Sequence, residues 1–144
     1  MINDIVVDFN VVFSAILGVG HSYKIFEIND KIKKFNFIAP QFMYVEIGIH
    51  SDEIIKKTKF SLEKAQETIK TIIEQITFIS DEEFKNKTEE AKQILKGHEK
   101  DIPYLALALA KNCKILSGDK IFKELCPDTV ETPREILNIF ESLA

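Results

Sequence analysis

Acidic side chains stand at the ends of two short apolar stretches of this chain. Asp8 directly follows the run "DIVV", and Asp119 follows "KILSG". Asp101 opens the apolar segment "DIPYLALALA", and Glu46 lies within "QFMYVEIGIH". If the fold brings these four carboxylates together, their charges repel unless a cation neutralises them. Mg²⁺ and Mn²⁺ prefer oxygen ligands of this kind, so the residues predict a divalent metal site.

Simpler explanations exist for three of these residues. Asp101 and Asp119 each stand where a helix N-cap is expected, and capping is a sufficient reason for an aspartate there. Glu46 taken alone fits a solvated position on a helix. Asp8 is harder to explain, because a carboxylate next to buried apolar residues is costly without a metal ion or hydrogen-bond donors. Asn10 has a simple explanation too, as the cap of the first helix.

Alternating strands and helices are expected to position these carboxylates. Parallel strands that alternate with helices form a sheet covered on both faces, and the loops at the carboxyl ends of its strands share one crevice. We therefore predict an α/β fold, a three-layer α/β/α sandwich with a central, mostly parallel sheet. The predicted strands are 4–8, 36–40, 76–80, 114–118 and 129–132. The predicted helices are 10–18, 21–35, 41–50, one or two within 51–75, 81–97, 101–112, 119–125 and 133–143.

Length and composition limit the class of protein. The 144 residues suit a single domain over 1–144, and the net charge of −4 gives no general attraction for nucleic acid. The sequence starts without the basic region and cleavage site of a secretory signal. Cys113 and Cys126 lack a metal or redox spacing, which indicates a reduced setting. We expect a cytoplasmic protein that does not span a membrane.

Four segments in this order resemble one family. The segments "VDFNVVFSAIL", "APQFMYVEIGIH", "DIPYLALALA" and "ILSGDKIF" are similar to those of the PIN-domain nucleases, which include toxin ribonucleases of prokaryotic toxin–antitoxin pairs. The resemblance covers almost the whole chain. Family members share a strand-ending D-x-N-x-x-x-S, a glutamate on an early helix, an aspartate that opens an L-A-x-A helix, and T/S-x-D after the next strand. Phe9 departs from this pattern, since a small residue is common at its position.

The resemblance implies metal-dependent cleavage of phosphodiester bonds, usually in RNA. Carried over by position, Asp8, Glu46, Asp101 and Asp119 are the catalytic and metal-binding acids, with Mg²⁺ or Mn²⁺ as the cofactor. Asn10 and Ser117 follow as residues that support the acids through hydrogen bonds. The resemblance also implies a possible antitoxin protein as partner and a homodimer. It leaves open whether one or two metal ions bind.

Two questions stay open at this point. Lys120 and Lys123 follow Asp119 and are candidates for binding the RNA backbone, although runs of lysine are often only a solvated face. The competing function is a PIN-like module that keeps its acids as helix caps and acts through RNA or protein contacts without cleavage. Fold alone does not decide between the two.

Overall fold

The fold is described from a computed structural model and covers residues 3–143. Strands and helices alternate along this range. The strands are β1 (Asn3–Val7), β2 (Phe35–Pro40), β3 (Ile76–Ile79), β4 (Lys114–Leu116) and β5 (Val130–Glu131). The helices are α1 (Phe9–Leu17), α2 (Gly20–Ile32), α3 (Phe42–Ile49), α4 (Ser51–Lys57), α5 (Leu62–Glu74), α6 (Thr88–Leu95), α7 (Ile102–Lys111), α8 (Lys120–Leu125) and α9 (Pro133–Ser142). Short 3₁₀ turns cover Asp81–Glu83, Lys85–Lys87 and Glu99–Asp101.

The strands form one sheet with β1 at its centre. Their order is β3-β2-β1-β4-β5, and every neighbouring pair is parallel. Val6 pairs with Ile38 of β2 on one side and with Ile115 of β4 on the other. Val6 is fully buried, as expected for the middle strand of a parallel sheet. The predicted α/β fold is confirmed, and the sheet is parallel throughout.

Helices cover both faces of this sheet. On one face α7 packs against β1, β2 and β4, while α6 packs against α7 and α8. On the other face α1 packs against α2 and α5, and α9 packs against α2. This division follows from right-handed crossovers, because the chain runs outward through β2 and β3 and then returns to β4 and β5 on the opposite side. The three-layer sandwich is confirmed.

The order of the strands creates a crevice beside β1. The chain leaves β1 toward β2, whereas β4 is added later on the other side of β1. Loops that leave the carboxyl ends of β1 and β4 therefore diverge toward opposite faces of the sheet, and a gap opens between them. In open α/β sheets, ligands bind at such a switch point.

One predicted helix is wrong in its first half. The segment 81–97 was expected to be helical throughout, but two 3₁₀ turns precede α6. Phe84 lies between those turns with φ −136° and is 4% exposed, so its side chain reaches the core through a break in the helical backbone. Burial of this aromatic ring outweighs the local preference for helix, which a sequence pattern does not reveal.

The end of α1 depends on glycine. Gly18 follows α1 with φ 77°, and its N–H donates hydrogen bonds to carbonyl oxygens of the last turn, as predicted from the sequence. A Cβ atom at this position would come within 2.6 Å of the Phe60 ring. Phe60 therefore packs at the opposite end of α1 from Phe9.

No single helix within residues 3–143 is long and apolar enough to span a membrane. Helices α1 and α2 meet the criteria of length and hydropathy only as a pair, and that pair is bent by 90°.

Candidate active site

Asp8 carries a carboxylate to the end of the central strand. Its N–H donates a hydrogen bond to the Leu116 carbonyl oxygen at 2.9 Å, which extends the pairing of β1 with β4. Asp8 is only 5% exposed, and its Oδ2 accepts a hydrogen bond from Oγ of Ser117 at 2.7 Å. Among the residues described, no basic side chain forms an ion pair with it. The partner of this buried acid is therefore a hydroxyl group and not a cation.

The loop after β4 is tied to the loop after β1. Ser117 is fully buried, and its Oγ accepts a hydrogen bond from the Asp119 N–H at 3.1 Å. The Gly118 N–H donates to Oδ1 of Asn10 at 3.3 Å. Ser117 and Asn10 thus hold the two loops together across the crevice. The prediction that Asn10 caps the first helix is wrong, because α1 begins at Phe9 and Asn10 lies within its first turn.

Asp119 caps α8 and also borders the crevice. Its Oδ1 accepts hydrogen bonds from the N–H groups of Ile121 at 2.9 Å and Phe122 at 3.3 Å. The capping prediction is therefore confirmed for Asp119. Because all of these bonds use Oδ1, capping leaves Oδ2 available for a second interaction.

Asp101 does not cap a helix. It ends the 3₁₀ turn before α7, is 8% exposed, and makes no side-chain hydrogen bond to the first turn of α7. The capping explanation is wrong for this residue, because its backbone is already helical while an N-cap needs an extended conformation. Asp101 is thus a second buried carboxylate, and no basic side chain within residues 3–143 forms an ion pair with it.

Asp8, Asp101 and Asp119 interact through their charges. Burial raises the pKa of Asp8 to about 7, and the charges of Asp101 and Asp119 contribute to the rise, while the Ser117 hydrogen bond opposes it. The pKa of Asp101 is also raised, to about 6. Burial is the larger cause, and the negative charge of Asp119 is the second. The switch point therefore holds carboxylates that are costly to ionise without a cation.

Glu46 joins this group through a tyrosine that the sequence analysis did not identify. The Tyr104 O–H donates a hydrogen bond to Oε1 of Glu46 at 2.8 Å. The pKa of Tyr104 is raised, mainly by burial and next by the charge of Glu46. The charges of Asp8 and Asp101 add to this rise. Tyr104 therefore lies among the acids. Its position three residues after Asp101 on one helix face was the available signal.

A comparison with known proteins identifies the family. A model described as "PIN domain" matches residues 6–137. The chain belongs to the PIN domain family. PIN domains are generally nucleases that use divalent metal ions. The family expected from the four sequence segments is thereby confirmed.

One solved structure is similar in fold to this PIN domain. It is a chain from the "Crystal structure of VapBC2 from Rickettsia felis bound to a DNA fragment from their promoter". The TM-score is 0.64 at 15% sequence identity, and the alignment covers 90% of this chain and 98% of that chain. At this identity the likeness shows the fold alone. No curated protein matches the chain.

The lysines near the acids differ in how they are used. Nζ of Lys123 donates to the carbonyl oxygens of Pro127 at 3.1 Å and Val130 at 2.7 Å, and it lies 3.2 Å from a Glu135 carboxylate oxygen. These intramolecular contacts occupy the Lys123 ammonium group, whereas the Lys120 side chain is exposed to solvent. Burial raises the pKa of both Glu46 and Asp101, and the charge of Lys100, a residue that the sequence motifs did not indicate, opposes the rise at each.

The donor atoms of this PIN domain fit a hard divalent cation. Within residues 3–143, no three histidine, cysteine, aspartate or glutamate side chains converge closely enough to enclose a metal ion. Mg²⁺ does not need such a cage, because it keeps several waters and binds through one or two carboxylates plus substrate phosphate oxygens. The buried carboxylates of Asp8 and Asp101 meet that requirement.

Proposed function

We propose that this protein is an Mg²⁺- or Mn²⁺-dependent endoribonuclease that hydrolyses phosphodiester bonds of single-stranded or structured RNA. One observation carries the proposal. Asp8 and Asp101 are both buried at the switch point of the sheet, and neither forms an ion pair within the described part of the chain. Buried acids without a countercharge are costly, and a bound divalent cation removes that cost.

Each residue of the site has a role in this proposal. Asp8 and Asp101 would hold the cation, and the carboxylates of Asp119 and Glu46 would add negative charge to its surroundings. When bound, the cation activates water and neutralises charge on the phosphate. Ser117 fixes the Asp8 carboxylate, and Tyr104 fixes Glu46. Their hydrogen bonds orient the acids, as outer partners of metal ligands commonly do.

The proposal extends to partners. The sequence resemblance to toxin ribonucleases supports an antitoxin protein as partner of a single domain over 1–144. A homodimer is supported by the exposed face of α3, where four large apolar side chains are each more than half exposed: Phe42, Tyr44, Val45 and Ile49. Exposed apolar side chains grouped on one helix mark an interaction surface.

A second candidate function rests on a different observation. Asp119 serves as a helix cap, and no three potential ligands converge within residues 3–143. These facts favour a PIN-like binding module that contacts RNA or protein without cleaving it. The two candidates differ in one measurable respect, since only the nuclease needs a divalent cation.

Cleavage of end-labelled RNA tests the proposed function. Wild-type protein is incubated with Mn²⁺, with Mg²⁺ and with EDTA, beside Asp119→Asn and Asp128→Asn. Asparagine is also a good N-cap, so Asp119→Asn retains the cap and removes the charge. Asp128 is exposed and precedes β5, so it lies toward the amino ends of the parallel strands and away from the acids, which makes Asp128→Asn a matched control.

We expect metal-dependent cleavage by the wild type and by Asp128→Asn, and none by folded Asp119→Asn. If folded wild-type protein cuts no RNA with either metal, the nuclease proposal is wrong. RNA or protein binding under those conditions would then favour the binding module.

A further inference from the structure

Three aromatic rings form a cluster beside the acids. The Phe9 and Phe13 ring centroids lie 5.7 Å apart in a stacked arrangement on the first turns of α1. The His50 ring, which follows α3, lies 5.3 Å from Phe9 and 5.8 Å from Phe13. We call Phe9, Phe13 and His50 the aromatic cluster. It joins the segment after β1 to the helix after β2.

The aromatic cluster borders the candidate active site on two sides. Phe9 directly follows Asp8, the buried acid at the end of β1. His50 follows Glu46 by one helical turn, and its backbone N–H donates a hydrogen bond to the Glu46 carbonyl oxygen at 3.1 Å. A group that rests on the aromatic cluster is therefore adjacent to both Asp8 and Glu46.

The aromatic cluster is open to solvent. Phe9 and Phe13 are only partly buried, and 41% of the His50 side chain is exposed. Nδ1 of His50 lies 3.2 Å from Oε1 of Glu53, a contact that limits rotation of the ring. Partly exposed rings held in place at the edge of a polar crevice form a preorganised stacking surface.

The chemistry of the neighbouring groups indicates what this surface binds. Proteins recognise unpaired RNA bases by stacking them on phenylalanine, tyrosine, tryptophan or histidine rings, while cations contact the phosphates. Here His50 lies one helical turn from Glu46, and Lys100 directly precedes the buried acid Asp101. A base on the rings and a phosphate near Lys100 would place the intervening backbone over the acids.

We propose that the aromatic cluster is a base-binding subsite, which stacks one unpaired RNA base next to the phosphodiester bond that is cut. The subsite rests on the proposed ribonuclease function and deepens it by requiring a single-stranded substrate at one position. Phe9 and His50 are its base-contacting residues, and the Phe13 ring packs against both of them. Stacking tolerates any base, so the subsite selects unpaired structure more strongly than sequence.

Abasic RNA substrates test this subsite. A short single-stranded RNA is prepared with one base removed at each position around the cleavage site, and KM and kcat are measured for each. Wild-type protein is compared with Phe9→Leu and His50→Leu, which retain apolar packing and remove the ring. Phe60→Leu is the control, because the Phe60 ring pairs with Tyr23 at the opposite end of α1.

We expect removal of one particular base to raise KM by about 10- to 100-fold for wild type and for Phe60→Leu. In Phe9→Leu and His50→Leu that penalty shrinks to a few-fold, since the base has no ring to stack on. A purely structural role would lower activity on every substrate and leave the penalty unchanged. An unchanged penalty in both variants, or no penalty in wild type, overturns the subsite.

A binding measurement separates failure of the subsite from failure of the proposed function. The same RNA carries 2-aminopurine at each position in turn, and stacking on a protein ring changes its fluorescence. If the wild type cuts no RNA but changes the fluorescence at one position, and Phe9→Leu does not, the subsite stands without the nuclease. If no position responds to wild-type protein, the subsite is wrong.

Discussion

At the scale of single residues, Asp8 is a buried carboxylate whose charge is costly in this place. Its carboxylate follows three buried apolar residues of β1, and within residues 3–143 its side-chain hydrogen-bond partner is a serine hydroxyl. A charge in this place lowers the stability of the fold unless something positive binds nearby. The carboxylate therefore makes sense as part of a binding site and not as part of the core.

The raised pKa of Asp8 predicts how stability depends on pH. Since the pKa rises from 3.8 in the unfolded chain to about 7 in the fold, the folded protein binds more protons between these values. The free energy of unfolding of metal-free protein should therefore fall by about 1 to 3 kcal/mol as pH rises from about 4 to about 7, and then level off. Asp101, whose pKa is about 6, acts in the same direction.

Urea unfolding across this pH range checks the prediction. Asp8→Asn should remove the Asp8 part of the decline and be more stable than wild type at pH 8, whereas Asp128→Asn should retain the full decline. A metal-free Asp8→Asn protein that is less stable than wild type at pH 8 would contradict this account of the residue.

Tyr104 offers a second test at the scale of one residue. Tyr104→Phe keeps the buried ring and removes the O–H that Glu46 accepts, so Glu46 loses its fixed orientation. We expect kcat for RNA cleavage to fall by about 10-fold while the melting temperature changes little. Steady-state kinetics beside thermal unfolding measure both quantities, and an unchanged kcat would show that Tyr104 does not position Glu46.

At the scale of elements, the alternation of strands and helices was easier to predict than the residues at which they end. The strand predicted over 4–8 covers Asn3–Val7, and the strand predicted over 114–118 ends at Leu116, because Ser117 already belongs to the loop that contacts Asp8. The helix expected over 81–97 was wrong in its first half because a long-range contact, burial of Phe84, decided the backbone there. A cap at Asp101 was also expected from the sequence, and the helical backbone at that residue excludes it.

The loop after β4 connects two of the acids of the candidate site through hydrogen bonds. Ser117 donates to Asp8 and accepts from the Asp119 N–H, so one hydroxyl links two of the acids. Ser117→Ala should lower the free energy of unfolding by about 1 to 3 kcal/mol at pH 6 and weaken Mn²⁺ binding by about 10-fold. Calorimetric titration with Mn²⁺ and urea unfolding give the two values. Wild-type metal affinity in this variant would count against the role of Ser117.

At the scale of the whole molecule, topology makes the site. Asp8 and Ser117 are separated by 109 residues, and Glu46 and Tyr104 by 58, yet the order of the strands brings each pair into contact. The resemblance to the family assigned the four acids by position, and their metal-binding role remains a proposal. Tyr104 carried only the weak signal of its spacing from Asp101, and Lys100 and His50 carried none, because their places beside the acids depend on how distant segments pack.

The assembly of the molecule is also open to measurement. A homodimer through the apolar face of α3 should be visible by light scattering, and Ile49→Asp, which places a charge at the most exposed of its apolar positions, should yield monomers. Ile55→Asp on α4 is the matched control, since Ile55 is similarly exposed but lies on a different helix. Wild-type protein that is monomeric at every soluble concentration would show that this face does not join two copies.

Binding of Mn²⁺ measured by electron paramagnetic resonance tests the central claim most directly. At pH 8 the carboxyl groups of Asp8 and Asp101 are ionised, and free Mn²⁺ is counted against bound Mn²⁺ for wild type, Asp101→Asn and Asp128→Asn. We predict that wild type and Asp128→Asn bind Mn²⁺ alike, and that folded Asp101→Asn binds at least about 10-fold more weakly. Equal binding by Asp101→Asn and wild type, or no binding by wild type, would contradict the assignment of these buried acids to a metal site.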